Sequence, residues 1–309
     1  MNKIHKNLLL WYKENGRHEL PWRQVSDVYH VYLSEVMLQQ TQTSRVKEHF
    51  YPHFLEKYPT LQDLANASLD EVLASWSGLG YYSRARNLHK TVQLCAKEGL
   101  PHDFNALLKL PGVGKYTASA VCSFALHQDI AVVDTNIARV LKRYFALENA
   151  NDAIVWQKAN EFLNHANPTA HNLALMDLGS LVCTPNPTCK HCPLNLTCKG
   201  KEKPQEYAKT KKTVYENLEL SLGVCLKKNK LALIKSQEKL YKGLLVLPKV
   251  EPNEENFLGS FKHSYTKYRI TISLYRVENI SSNVEWFSYE ELLQAPISSM
   301  TKKALEFIN

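Results

Sequence analysis

The sequence predicts a multidomain chain of two fold classes: a mostly α-helical domain over residues 1–200, then a small α+β domain over residues 214–309. Three observations carry this. Through residue 200 the apolar residues recur at helical spacing. From Leu218 onward they alternate at every second position, the period of a strand. Between the two textures, Lys199, Lys201, Lys203, Lys209, Lys211 and Lys212 crowd a polar stretch around Pro204. That stretch reads as a basic linker over residues 201–213. A chain of 309 residues with 44% hydrophobic content is long enough for two cores.

Helical runs fall at residues 8–12, 61–76, 83–96, 104–110, 115–126 and 137–144. Breakers such as Pro21, Pro59, Gly78, Gly80, Pro101, Pro111 and Pro168 separate them. Residues 34–42, with Leu33 just before them, predict one more helix. On it Leu33, Val36, Met37 and Gln40 share one face, and Glu35, Gln39 and Gln42 share another. In the second domain Leu218, Leu220, Leu222, Val224 and Leu226 alternate, residues 227–230 offer a turn, and Tyr268, Ile270, Ile272 and Leu274 alternate again. Short helices are expected at residues 289–294 and 301–308.

The net charge of +8 and the pI near 9.0 favour an anionic partner such as nucleic acid. Ordinary surface lysine would give the same surplus, so charge alone leaves both readings open. The apolar run near the N-terminus is too short for a signal sequence, and no stretch reaches membrane-spanning length. The expectation is a cytoplasmic protein, likewise with no membrane partner. Of seven cysteines, Cys95, Cys122 and Cys225 are scattered among apolar residues and read as buried thiols. Cys183, Cys189, Cys192 and Cys198 cluster, and a reducing compartment with a metal explains them better than disulfides. One Cys-x-x-Cys unit flanked by wider gaps suits a four-iron cluster, with zinc as the alternative.

Leu110-Pro111-Gly112-Val113-Gly114 lies between two helical runs. Its glycines allow a tight hairpin whose backbone N–H groups can approach a phosphate. Such a contact positions DNA without reading its bases. A plain helix–helix turn is the other reading. Downstream, Val133-Asp134-Thr135-Asn136 ends an apolar run and opens a helix. Asp134 is a natural helix cap there.

Leu20-Pro21-Trp22-Arg23, residues 34–42, Gly78-Leu79-Gly80-Tyr81-Tyr82-Ser83-Arg84-Ala85-Arg86 and Met176-Asp177-Leu178-Gly179 fall in order with the hairpin and the cysteines. Together they resemble the MutY-type adenine DNA glycosylases of the helix-hairpin-helix, endonuclease III superfamily. The resemblance covers nearly all of residues 1–200. It implies a helix-hairpin-helix glycosylase domain with an iron-sulfur loop, followed by a Nudix-like domain that recognises 8-oxoguanine. The implied activity is hydrolysis of the N-glycosidic bond of adenine mispaired with 8-oxoguanine or guanine in duplex DNA, by a monomer. The implied cofactor is a [4Fe-4S] cluster on Cys183, Cys189, Cys192 and Cys198, although the first gap is one residue shorter than in that family.

The resemblance also assigns roles. Glu35 matches the general acid and Asp134 the second catalytic carboxylate. Tyr116 stands where bifunctional endonuclease III relatives keep a catalytic lysine, so a monofunctional enzyme is implied. A bifunctional glycosylase/lyase is the alternative, with Lys115 one position out of register. Asn136 and Asp177 match further polar positions of the site and its framework. Tyr81 matches a wedge beside 8-oxoguanine, and Gln39, Gln40 and Gln42 the element that penetrates the duplex. Leu110, Gly112 and Gly114 would hold the backbone. In the second domain Tyr265-Thr266-Lys267 matches a lesion-reading loop, with Thr266 retaining a hydroxyl and Lys267 replacing an imidazole. No Nudix hydrolase box is present.

Adenine inside a duplex must be flipped out to be reached. It leaves poorly until N7 is protonated, so Glu35 must hold a proton near neutral pH, which burial would arrange. Ionised Asp134 would stabilise the positive charge left on the sugar. Acid and anion therefore need different environments.

Overall fold

The structure, a computed structural model, describes residues 3–208, 214–265, 267–280 and 283–307. Thr266 and the C-terminal end of the expected linker, residues 209–213, lie outside the described residues. The helices of the first part are α1 (Lys3–Asn15), α2 (Val28–Leu38), α3 (Thr43–Arg45), α4 (Tyr51–Lys57), α5 (Leu61–Asn66), α6 (Leu69–Ser75) and α7 (Ser83–Leu94). They continue with α8 (Phe104–Leu108), α9 (Lys115–Phe124), α10 (Thr135–Tyr144), α11 (Asp152–Phe162) and α12 (Pro168–Leu181). Strands follow: β1 (Glu216–Val224), β2 (Leu226–Lys227), β3 (Lys230–Lys235), β4 (Leu245–Val246), β5 (Phe257–Tyr265), β6 (Tyr268–Arg276) and β7 (Glu285–Phe287). Two helices close the chain, α13 (Tyr289–Gln294) and α14 (Ser299–Leu305). The chain divides into two compact units, residues 1–53 with 90–211, and residues 54–89 with 212–309.

The first unit is helical, as the apolar spacing requires. On α10, Ile137, Val140, Leu141 and Tyr144 recur on one face and are buried. They meet Ala174, Leu175 and Leu178 of α12 in one core. Each large side chain buried this way contributes about 1.5–3 kcal/mol. The two helices meet closely at Gly179, where an added Cβ would lie 2.7 Å from Asn136 Cβ and 2.8 Å from its carbonyl oxygen. Only glycine allows that approach, and it brings α12 against the start of α10.

Two expectations about local structure are corrected. Residues 61–76 form two helices rather than one. Thr60 and Ser68 each accept a bond from the backbone N–H three residues on, and Asp63 and Glu71 reach back in turn. These capping boxes start separate helices. Likewise α2 does not divide into two faces: residues 31–37 are all buried. Val31, Tyr32, Leu33, Val36 and Met37 make it apolar all round, as in a core helix. It also stops at Leu38, so Gln39, Gln40 and Gln42 are not on it. Gln40 turns the chain with a left-handed backbone, φ 58.

The second unit carries the sheets. In one, β6 lies between β1, parallel to it, and β5, antiparallel to it. In the other, β3 pairs with β2, β4 and β7. Lys228 and Asn229 both have positive φ and join β2 to β3 by the mirror-image turn that suits a two-residue hairpin. The predicted α+β character of this region holds.

Candidate active site

The site in the first unit begins with Glu35. Placing a carboxyl in the buried stretch of α2 removes its hydration, and that burial raises its pKa from 4.5 to about 7. Tyr116 opposes the shift. From the first turn of α9 its hydroxyl donates to Glu35 Oε2 at 2.5 Å, favouring the carboxylate. Asp134 raises Glu35 further by like charge, and Arg23 lowers it. Glu35 therefore exchanges a proton near neutrality, as an acid–base group requires. Burial and the neighbouring carboxyl groups hold the Tyr116 hydroxyl well above its ordinary pKa, so it stays a donor.

Asp134 caps α10. Its Oδ1 accepts from the Ile137 backbone N–H at 2.6 Å and its Oδ2 from Asn136 Nδ2 at 2.9 Å. Burial raises its pKa, while these donors and the charge of Arg139 pull it down. Both readings of Asp134, cap and site carboxylate, are thus compatible. The two carboxyl groups differ in their donors: one hydroxyl serves Glu35, whereas an amide N–H, an Asn side chain and a nearby cation favour ionised Asp134. Asn136 is fixed in turn, since its Oδ1 accepts from Arg139 Nη2 at 2.7 Å.

Asp177, fully buried on α12, holds this region to the N-terminal segment. Its Oδ1 accepts from Arg17 Nε at 2.7 Å and from Arg23 Nη2 at 2.8 Å. Its Oδ2 accepts from Arg23 Nη1 at 2.6 Å and from the Arg17 backbone N–H at 2.9 Å. These bonds hold its pKa below the ordinary value despite burial.

The hairpin forms as its glycines require. Gly112 adopts φ 73, and the Val113 N–H donates to Leu110 O at 3.1 Å. Val113 is buried, whereas Gly112 and Gly114 are exposed. Gly114 begins α9 without a side-chain cap and has open space where a Cβ would stand. Gln39 Nε2 donates to Thr117 Oγ1 on α9 at 3.3 Å, and Gln42 precedes α3. Lys115 Nζ lies 4.2 Å from the centroid of the Trp156 ring.

Cys183, Cys189, Cys192 and Cys198 are all free thiols and line one cavity with Arg143 and Val182. Among the described residues no three His, Cys, Asp or Glu side chains converge as ligands of a single ion. Burial pushes the Cys192 thiol up to about 12. Sequence reasoning missed the two arginines beside this loop, four residues apart on α10. Arg139 donates to the carbonyls of Gly179 and Cys183. Arg143, fully buried, donates to those of Pro204, Cys183, Thr184 and Pro185. Their four-residue spacing within a helix was the available signal.

Tyr81 lies in the second unit, half-buried at the end of a turn, with a left-handed backbone of φ 48. Tyr265 ends β5, and its ring centroid lies 4.6 Å from that of Tyr241. Lys267 is occupied locally, its ammonium donating to Glu216 at 2.5 Å.

A helical unit with a glycine hairpin and two buried carboxyl groups defines a class. Residues 33–165 match the HhH-GPD superfamily of base excision DNA repair proteins. The chain belongs to the adenine DNA glycosylase family of that superfamily. An adenine DNA glycosylase of Buchnera aphidicola from Acyrthosiphon pisum is 31% identical over 261 residues, which cover 80% of this chain and 74% of the relative. The Mus musculus adenine DNA glycosylase is 42% identical over 220 residues, 65% of this chain and 42% of that protein. The chain spans about half the length of several such curated relatives. Among solved structures, a thermostable thymine-DNA glycosylase is 30% identical with a TM-score of 0.60, matching 64% of this chain and 95% of its own. An endonuclease III trapped covalently on DNA shares the fold at 23% identity and a TM-score of 0.57, over 66% of this chain and 98% of its own. No helix among the described residues is long and apolar enough to cross a membrane.

Proposed function

We propose that this protein is a monofunctional glycosylase that hydrolyses the N-glycosidic bond of adenine opposite 8-oxoguanine or guanine in duplex DNA. The observation that carries the reading is Glu35, a fully buried carboxyl poised near neutral pH and bonded to Tyr116. Glu35 delivers a proton to N7 of the flipped adenine, and the departing base leaves positive charge on the sugar. Asp134, with its three supporting groups, stabilises that charge. Glu35, its proton given up, then serves as base toward water. Gly112, Gly114 and Leu110 of the hairpin hold a phosphate, and Gln39, Gln40, Gln42 and Tyr81 enter the duplex. The protein acts as a monomer on DNA in the cytoplasm.

The lyase alternative needs an amine at the sugar. Tyr116 has none, and Lys115 rests on the Trp156 ring. Cleavage products should therefore consist of free adenine and an intact abasic strand that breaks only in hot alkali. Efficient borohydride trapping of a Schiff base, lost in Lys115→Ala, would restore the lyase reading.

The cysteine loop supports a [4Fe-4S] cluster held by Cys183, Cys189, Cys192 and Cys198. Four thiols round one cavity, set about a single Cys-x-x-Cys unit, suit a four-iron cluster. Thiolates held together in this way are stabilised by neighbouring positive charge. A cluster would fasten this loop, a structural role. Anaerobically purified protein should contain iron and inorganic sulfide in equal amounts. Zinc without sulfide would overturn the assignment.

For the C-terminal part, the division into a glycosylase domain (1–200), a linker (201–213) and a Nudix-like, lesion-reading domain (214–309) is likewise proposed. Its support is the α+β topology and the β5–β6 hairpin that carries Tyr265. Thr266 remains the candidate hydroxyl for 8-oxoguanine. Lys267 pairs with Glu216, both exposed at the surface.

A further inference from the structure

The turn between α6 and α7 is held by two side chains that the proposed chemistry does not use. Gly78, Gly80 and Tyr81 have φ of 94, 78 and 48, three left-handed residues within four positions. Glycine adopts that region freely, but a tyrosine does so only where its surroundings impose it. Trp76, fully buried, donates from Nε1 to the Gly80 carbonyl at 3.1 Å. Arg84, 7% exposed, donates from Nη2 to the carbonyls of Gly80 at 3.2 Å and Leu79 at 3.4 Å. Its Cζ lies 5.5 Å from the ring centroids of both Trp76 and Tyr81. The Arg84 backbone N–H donates to the Tyr81 carbonyl at 2.8 Å. One guanidinium thus meets the Tyr81 ring and the two carbonyls before it.

We propose that Arg84, backed by Trp76, is a positioning residue that fixes the direction of the Tyr81 ring for entry into duplex DNA. The inference rests on the reading that Tyr81 contacts the duplex. A ring already held in one orientation loses little freedom on insertion, which strengthens binding without a new contact. A guanidinium suits the task because its plane stacks on rings while its N–H groups reach two acceptors. A lysine ammonium at the same place keeps the charge and loses the planar fork.

The test is a double-mutant cycle. Single-turnover adenine release from a duplex with adenine opposite 8-oxoguanine is measured per active enzyme for the wild type, Tyr81→Ala, Arg84→Lys and the double variant. Each single change should slow release by roughly tenfold, the size expected for lost charge-assisted bonds and ring contacts. The double variant should be no slower than Tyr81→Ala, because Arg84 acts through that ring. Losses that multiply overturn the positioning role while leaving Tyr81 as a DNA contact. A normal rate for Tyr81→Ala overturns both. Trp76→Phe, which removes the donor to Gly80 together with part of the ring that Arg84 faces, should repeat the pattern more weakly and decides by the same rule if Arg84→Lys fails to fold. A wild type that releases no adenine contradicts the substrate alone, and the cycle is then read in duplex affinity at fixed salt.

Discussion

Glu35→Gln is expected to slow base release by about 100-fold or more, the usual loss when a general acid is removed, while duplex binding persists. The amide keeps the shape and can still accept from Tyr116, so the fold survives. In the unchanged enzyme, release should fall as pH rises through about 7, where Glu35 loses its proton. Stability should follow the same group. Its folded pKa of about 7 lies above the ordinary 4.5, so between these values the folded state binds the extra proton. Stability therefore declines as pH rises through that window, by on the order of 3 kcal/mol for this group. Glu35→Gln should remove that slope. A slope of the same sign remains from Asp134, whose pKa burial also raises. Near-normal release by the folded variant would end the assignment of Glu35.

Asp177→Asn is expected to cost about 3–5 kcal/mol, the range for breaking a buried ion pair from one side. Asp177 is fully buried and the Arg23 side chain is 6% exposed, so the change leaves a cation inside without its carboxylate. The urea midpoint should drop at an unchanged slope. Asp177 has a depressed pKa, so its contribution is present above 3.8 and is lost as pH falls below that value. The rate profile should move too. Arg23 already lowers the pKa of Glu35, and without Asp177 its field is less compensated. The pH at which release falls should therefore shift downward. A variant of wild-type stability would show that Arg17 and Arg23 find other partners.

Much of the site was legible because its chemistry is local in sequence. Asp134 caps the helix it begins, Gly112 and Gly114 make one hairpin, and the four cysteines share one loop. The alternation of Leu218 to Val224 gave β1, and that of Tyr268 to Leu274 gave β6. Periodicity failed where tertiary burial overrode it. Glu35, Gln39 and Gln42 fit one helical face on paper, yet α2 is buried all round and stops before Gln39. The break at Ala67 was written in two capping boxes, but apolar spacing alone ran through it. Long-range partners had no local signal. Nothing in sequence joins Asp177 to Arg17 and Arg23, or Arg143 to Pro204, because those bonds depend on the folded path.

Single-turnover base release from four duplexes, with adenine opposite 8-oxoguanine, guanine, cytosine or thymine, tests the proposed function most directly. Release should be fast opposite 8-oxoguanine, slower opposite guanine, and slowest opposite cytosine and thymine. The product should be free adenine, and Glu35→Gln should slow its release by about 100-fold or more. Equal release from all four duplexes, or release of a base other than adenine, would contradict the reading of this protein as an adenine glycosylase for oxidised mispairs.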